Sequence, residues 1–360
     1  MVSREPVDLQ ASLASGRFVE VDPLYRERLT KQFGRNQWVT GERAGQPAAE
    51  EGTTAVVRVF DMECNLPITG GEAGGSGHAT QGSGATFRGR EQEDLAGYGM
   101  SNYGRIFTAR DREEGAAPER VGMPIDEYAA MLKEAGVEKG MIRASTNTET
   151  AEIQRTDPDL FVGFAVISPF DGMRGVRELE RLVRDEGLRG LSMSPLTERI
   201  PASDRRYYPM YAKAVELGIP ARVYSTMNYG TDRPYDLGHP RHLDQICVDF
   251  PELMLIAGLG GWPWVPDMVA LIRRHPNLYM DTSSHRPRHF GTSGSGWEML
   301  MQFGNTLAQD KVLTGLSWGG GSAGGESYET LVQEYLDLPL KDAVKEKWLY
   351  YNAARIFELD

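Results

Sequence analysis

The sequence is poor in the residues that most often announce chemistry. Only two cysteines, Cys64 and Cys247, occur in 360 residues, so there is no disulfide framework and no CxxC pair. Six histidines, at positions 78, 239, 242, 275, 285 and 289, are few for a histidine-rich metal site. No run of 18 apolar residues is present, and no membrane span is expected. The balance of 39 basic against 51 acidic residues gives a net charge of −12, with no basic run or basic helix face. Nucleic acid is therefore not an expected partner. The opening MVSREPVDLQ lacks an apolar signal core. A soluble cytoplasmic protein is the expectation.

The length suits one large α/β domain. Residues 1–54 are polar and irregular in pattern, and read as an arm and linker before a domain over 55–360. A Gly-rich insertion over 66–120 is too long for a routine loop, and reads as a lid or a disordered insertion. It has no Walker or dinucleotide spacing. From 124 the chain becomes regular. Ile125, Tyr128, Ala129 and Leu132 mark one face of a helix that Gly136 can end. Apolar runs such as DLFVGFAVI, IPARVYS and ELMLIAG then alternate with helical stripes, including 173–186, 206–217 and 296–308. This alternation predicts an α/β fold, a (β/α)8 TIM-type barrel, with an open doubly wound sheet as the fallback.

Chemistry in such a barrel sits at the C-terminal ends of the strands. In VFDMECN, the alternate residues Asp61, Glu63 and Asn65 would share a face there. Asp61 and Glu63 are candidate acid–base groups, or carboxylates that hold a loop. Arg222 and Tyr224 alternate on the fifth strand. Together they suit a carboxylate or phenolate ligand; alternatively Arg222 pairs with Glu63. In DTSSHRPRHF, His285 and His289, beside Arg286 and Arg288, form an anion-binding or acid–base loop, or a solvated one. Trp262, Trp264 and Trp318 would wall an apolar pocket or pack the rim. Cys64 should face the helices. His239 and His242 read as rim residues and His275 as inert, on the opposite face.

Six phrases occur in order: VFDMECN, YPMYAKAVELGIPARVYS, FPELMLIAGLGGWPW, HPNLYMDTSS, DKVLTGLSWG and YNAARIFEL. Together they resemble the amidohydrolase-related metallo-hydrolase family, most of all its branch of amino-carboxymuconate-semialdehyde and resorcylate-type decarboxylases. The resemblance implies a barrel over roughly 55–360 and a divalent metal, usually zinc or manganese. By the same resemblance, the metal ligands would fall at Glu63, Asn65, Tyr224 and Ser317, and the catalytic histidine at Gly258. Only Glu63 is a strong ligand, whereas a catalytic zinc needs three. The expectation is thus a divergent member with no metal or other cofactor. It would be a metal-independent lyase or hydrolase for a small aromatic or carboxylated metabolite. Glu63, Tyr224 and His285 would be its catalytic residues, and Arg222, His289, Trp262 and Trp318 would bind substrate. The alternatives are a non-catalytic subunit paired with a metal-bearing paralogue, or a ligand-binding module. An oligomer is expected, with itself or with that paralogue.

Overall fold

The computed structural model describes residues 57–66, 86–87, 90–91, 123–228, 233–318 and 326–359. The expected N-terminal arm, nearly all of the Gly-rich insertion and His78 lie outside the described residues.

One sheet holds eight strands in chain order: β1 (Val59–Cys64), β2 (Val137–Ile142), β3 (Phe161–Val166), β4 (Gly190–Met193), β5 (Ala221–Tyr224), β6 (Leu255–Gly258), β7 (Leu278–Asp281) and β8 (Val312–Leu313). Every paired neighbour is parallel. Sequential order excludes the doubly wound alternative, in which the order reverses at a switch point. β8 and β1 meet without a regular ladder. Their seam is bridged by the Met62 N–H donating to the Thr314 carbonyl at 2.9 Å, and by the Leu316 N–H donating to the Asp61 carboxylate at 2.8 Å. The sheet is thus a nearly closed barrel.

Helices fill the intervals: α1 (Ile125–Glu134), α2 (Asn147–Thr156), α3 (Gly172–Arg184), α4 (Tyr208–Leu217), α5 (Arg241–Asp249), α6 (Val265–Arg274), α7 (Glu298–Gly304) and α8 (Tyr328–Leu336). α1 buries Tyr128, Ala129 and Leu132, the stripe read from the sequence. Gly136 follows it at φ +84°, and a Cβ there would lie 2.4 Å from the Val57 carbonyl oxygen, so only glycine fits. The helix expected over 296–308 stops at Gly304, because the Thr306 and Ala308 N–H groups both turn back to the Phe303 carbonyl.

Strand alternation sorts the core into two layers. Phe60, Met62, Met141, Phe164, Ile256 and Leu313 fill the barrel, and Phe357 closes its N-terminal end by stacking 5.1 Å from Phe60. Val59, Ala165, Leu191, Val223, Leu255 and Met280 face the helices. On β5 this places Ala221 and Val223 outward, leaving Arg222 and Tyr224 directed inward. Asn352 fixes β8 from the C-terminal segment, its side-chain amide donating to the carbonyls of Gln309 and Val312 at 2.8 Å each.

Candidate functional site

β1 supplies the first side chain. Its register with β2 shifts between Asp61 and Cys64, and this irregularity separates carboxylates that plain alternation put on one face. Asp61 is wholly buried and accepts the N–H groups of Glu63 at 2.9 Å and Leu316 at 2.8 Å, and the Cys64 thiol at 3.3 Å. It is committed to the seam, and burial raises its pKa to about 6. Cys64 lies in the helix-facing layer, as expected, but by way of this shift, since alternation from Phe60 and Met62 would turn it inward; burial pushes its thiol up. Asn65 does not turn towards Glu63; its amide donates to the Trp318 carbonyl at 3.1 Å.

Glu63 faces the interior between two guanidinium groups. Oε1 pairs with Arg143 Nη2 and accepts the Tyr224 hydroxyl at 3.3 Å; Oε2 lies 2.6 Å from Arg222 Nη1. Arg222 continues the chain, with Nε 2.6 Å from Asp281 Oδ2 and Nη2 donating to Ser283 Oγ at 3.0 Å. Asp281 Oδ1 in turn accepts the N–H groups of Leu259 at 3.0 Å and Ser283 at 3.1 Å. Burial opposes the charge on Arg222, but the carboxylates of Asp281 and Glu63 outweigh it and hold the guanidinium protonated. The Tyr224 ring sits 5.1 Å from both guanidinium carbons, a double cation–π contact, and burial raises its phenol. Gly258 gives the cluster room: a Cβ there would stand 3.1 Å from Arg222 Cζ and 3.1 Å from Tyr224 Cδ1.

Arg143 was not singled out in the sequence. It follows β2 two residues after the inward-facing Met141, and that spacing was the signal that could have found it. Its side chain is 4% exposed, and its Nε has no hydrogen-bond partner. It walls a small cleft of about 10 Å³ with Ser192, Ser194, Thr197 and Glu198. Glu198 was also missed. It ends the short helix Pro195–Glu198, accepts from Ser168 Oγ at 3.2 Å, and has its carboxyl raised by burial. A larger hollow of about 230 Å³ lies beside Phe161, Phe357, Lys139 and Gln154. Gln154 is spent there on Gly163 and Gly187, and Lys139 on the Asp159 carbonyl.

The remaining sequence candidates do not join the Glu63 cluster. His285 is buried 4.9 Å from Trp297 and 6.4 Å from Trp262, and burial lowers its pKa to about 4. His289 is half-buried next to Arg288. Arg286 is held by Glu326 and Glu334. Trp318 stacks on Tyr328 at 5.4 Å and lies 5.7 Å from Tyr128, so it packs the rim. Trp264 contacts His239 at 4.5 Å. His242 bonds Ser203 at 3.0 Å, and His275 bonds Asp244 at 2.6 Å. Leu259, Ser284 and Ser317, which follow β6, β7 and β8, have left-handed φ values of 69°, 65° and 52°. Such strain gathers where loops are tightly determined. Ser317 spends its hydroxyl on the Ser284 N–H at 2.8 Å. Among the described residues, no three His, Cys, Asp or Glu side chains come together as metal ligands would.

A parallel eight-stranded barrel with its charged cluster at the strand C-termini defines a TIM-type barrel protein. The family model for Amidohydrolase matches residues 105–359, and the chain belongs to that family. Solved structures share the fold. A TIM-barrel protein of Bordetella bronchiseptica is 23% identical, covering 84% of this chain and 99% of its own, with a TM-score of 0.62. The 5-carboxyvanillate decarboxylase of Sphingomonas paucimobilis is 18% identical, covering 84% and 100%, with a TM-score of 0.56. The 2,6-dihydroxybenzoate decarboxylase of Rhizobium is 16% identical, covering 84% and 99%, with a TM-score of 0.56. No curated protein matches the sequence significantly.

Proposed function

We propose that the barrel mouth binds a small aromatic or carboxylated acid and acts on it as a lyase or hydrolase without a metal. The observation that carries this reading is Arg143. Its buried guanidinium is anchored through one nitrogen to Glu63, keeps an unpartnered Nε, and shares a cleft with a carboxyl raised by burial. The cleft as it stands holds about one water, so a ligand carboxylate would reach this guanidinium once the wall of Ser194, Thr197 and Glu198 draws back. Glu198, whose carboxyl burial raises, is the acid–base group this reading assigns to that ligand. Glu63 and Tyr224 orient Arg143. The substrate class accords with the aromatic acids named for two of the structural relatives. The donor set does not suit a divalent ion. Glu63 already pairs with two guanidiniums, Gly258 has no side chain, and Ser317 and Asn65 are turned to backbone groups.

The test uses benzoate and 2,6-dihydroxybenzoate with chelator-treated protein. Calorimetry should show binding that Arg143→Met abolishes. Glu198→Gln should keep the binding and remove turnover, followed as loss of the acid's ultraviolet absorbance. One tightly held zinc or manganese per chain, lost on Glu63→Ala, would sink the metal-free reading. Binding indifferent to Arg143→Met would move the site elsewhere.

One observation favours a second reading, the non-catalytic subunit. Glu63, Tyr224, Arg222 and His285 are 5%, 4%, 0% and 5% exposed, and all four have partners. Isolation from the native host in stoichiometric complex with a metal-bearing paralogue, with no turnover by the chain alone, would establish that reading.

A further inference from the structure

We infer that Arg222 is a built-in cation, and that removing its side chain exposes a latent divalent-metal site between Glu63 and Asp281. The inference concerns the same mouth as the proposed activity, but it is read out without any substrate.

The geometry is that of an ion in a cage. Two strands send three oxygens to one guanidinium, which rises from β5: Glu63 Oε2 from β1 at 2.6 Å, Asp281 Oδ2 from β7 at 2.6 Å, and Ser283 Oγ just past β7 at 3.0 Å. The Tyr224 hydroxyl adjoins the same carboxylate. No part of Arg222 reaches solvent. Two carboxylates and the two guanidiniums of Arg143 and Arg222 bring the cluster to formal neutrality. The cage is also fitted to its occupant. Gly258 on β6 leaves the space into which the guanidinium projects, and a Cβ there would approach Cζ to 3.1 Å and Nε to 3.2 Å.

Truncating Arg222 therefore does two things. It opens a hole the size of the guanidinium, and it leaves Glu63 and Asp281 sharing a single cation, Arg143. Buried carboxylates in that state must take up protons or another positive ion. The donors around the hole are carboxylate and hydroxyl oxygens, which suit manganese or magnesium rather than thiolate-seeking metals. A compact organic cation of the native shape, guanidinium itself, should enter as well.

The experiment compares three purified proteins in manganese, in guanidinium at low millimolar concentration, and in neither. For Arg222→Ala we expect about one manganese per chain by elemental analysis. We also expect its melting midpoint to rise by at least about 3 °C in either ion. The wild type should take up no manganese and gain nothing from either ion. The doubly changed Glu63→Gln/Arg222→Met keeps the hole filled and the charge balanced, and should fold without manganese uptake. If Arg222→Ala folds only when manganese is present during refolding, the inference is upheld more directly, whereas rescue by guanidinium alone overturns the metal site. Manganese binding by the wild type, or a truncated variant that responds to neither ion, overturns it.

Discussion

Two buried groups set opposing pH dependences. The Asp61 pKa in the fold is raised to about 6, above its unfolded value, so between roughly pH 4 and 6 the folded chain binds the extra proton and stability falls as pH rises. The His285 pKa is lowered to about 4, below its unfolded value, so over roughly pH 4 to 6.5 the unfolded chain binds the extra proton and stability rises with pH. The two contributions largely cancel. Asp61→Asn can still accept the Leu316 and Glu63 N–H groups and should remove only the first contribution. Its stability relative to wild type should improve as pH rises from 4 to 6. His285→Asn should remove only the second contribution, with the opposite trend. Urea titrations across that range check both, and parallel profiles for all three proteins would refute the assignment.

At this scale the sequence was readable where alternation holds. Glu63, Arg222 and Tyr224 were picked out by strand alternation together with the family resemblance, and the Glu63–Arg222 contact is present. Asp61 was misplaced because a register shift is a property of two paired strands and leaves no mark in one. Asp281 ends an apolar run and was not singled out. Glu198 lies in a four-residue helix too short to have a periodicity.

Among the elements, the eight strands and most helices were legible because each buries a run or stripe long enough to carry a period. The shortest strand is the informative exception. β8 has two residues, and its register is held by side chains from elsewhere. Asn352 is the chief of these, and its clamp went unread within YNAARIFEL because its partners, Gln309 and Val312, are carbonyls that no side-chain pattern reveals. Asn352→Ala strands one buried carbonyl and weakens another. It should cost about 2–3 kcal/mol of stability, and amide exchange should quicken first at Val312–Leu313 and across the seam at Met62. Uniform quickening over the whole barrel would argue against a local clamp.

For the molecule as a whole, barrels of this kind present helices outward on all sides, and we propose that this one assembles through them into at least a dimer, with itself or a paralogue. Light scattering on the purified chain and pull-downs from the native host decide it: a monomer with no partner refutes the proposal. The Gly258–Arg222 fit has a consequence on an evolutionary timescale. A side chain at 258 is crowded while the guanidinium is present, and losing the guanidinium first leaves buried charge without its counterion. Each change is disfavoured until the other has happened. A lineage that has taken on both is therefore held in place as by a ratchet. Placing an imidazole at position 258 would require passing through poorly folded single variants, or making both substitutions together.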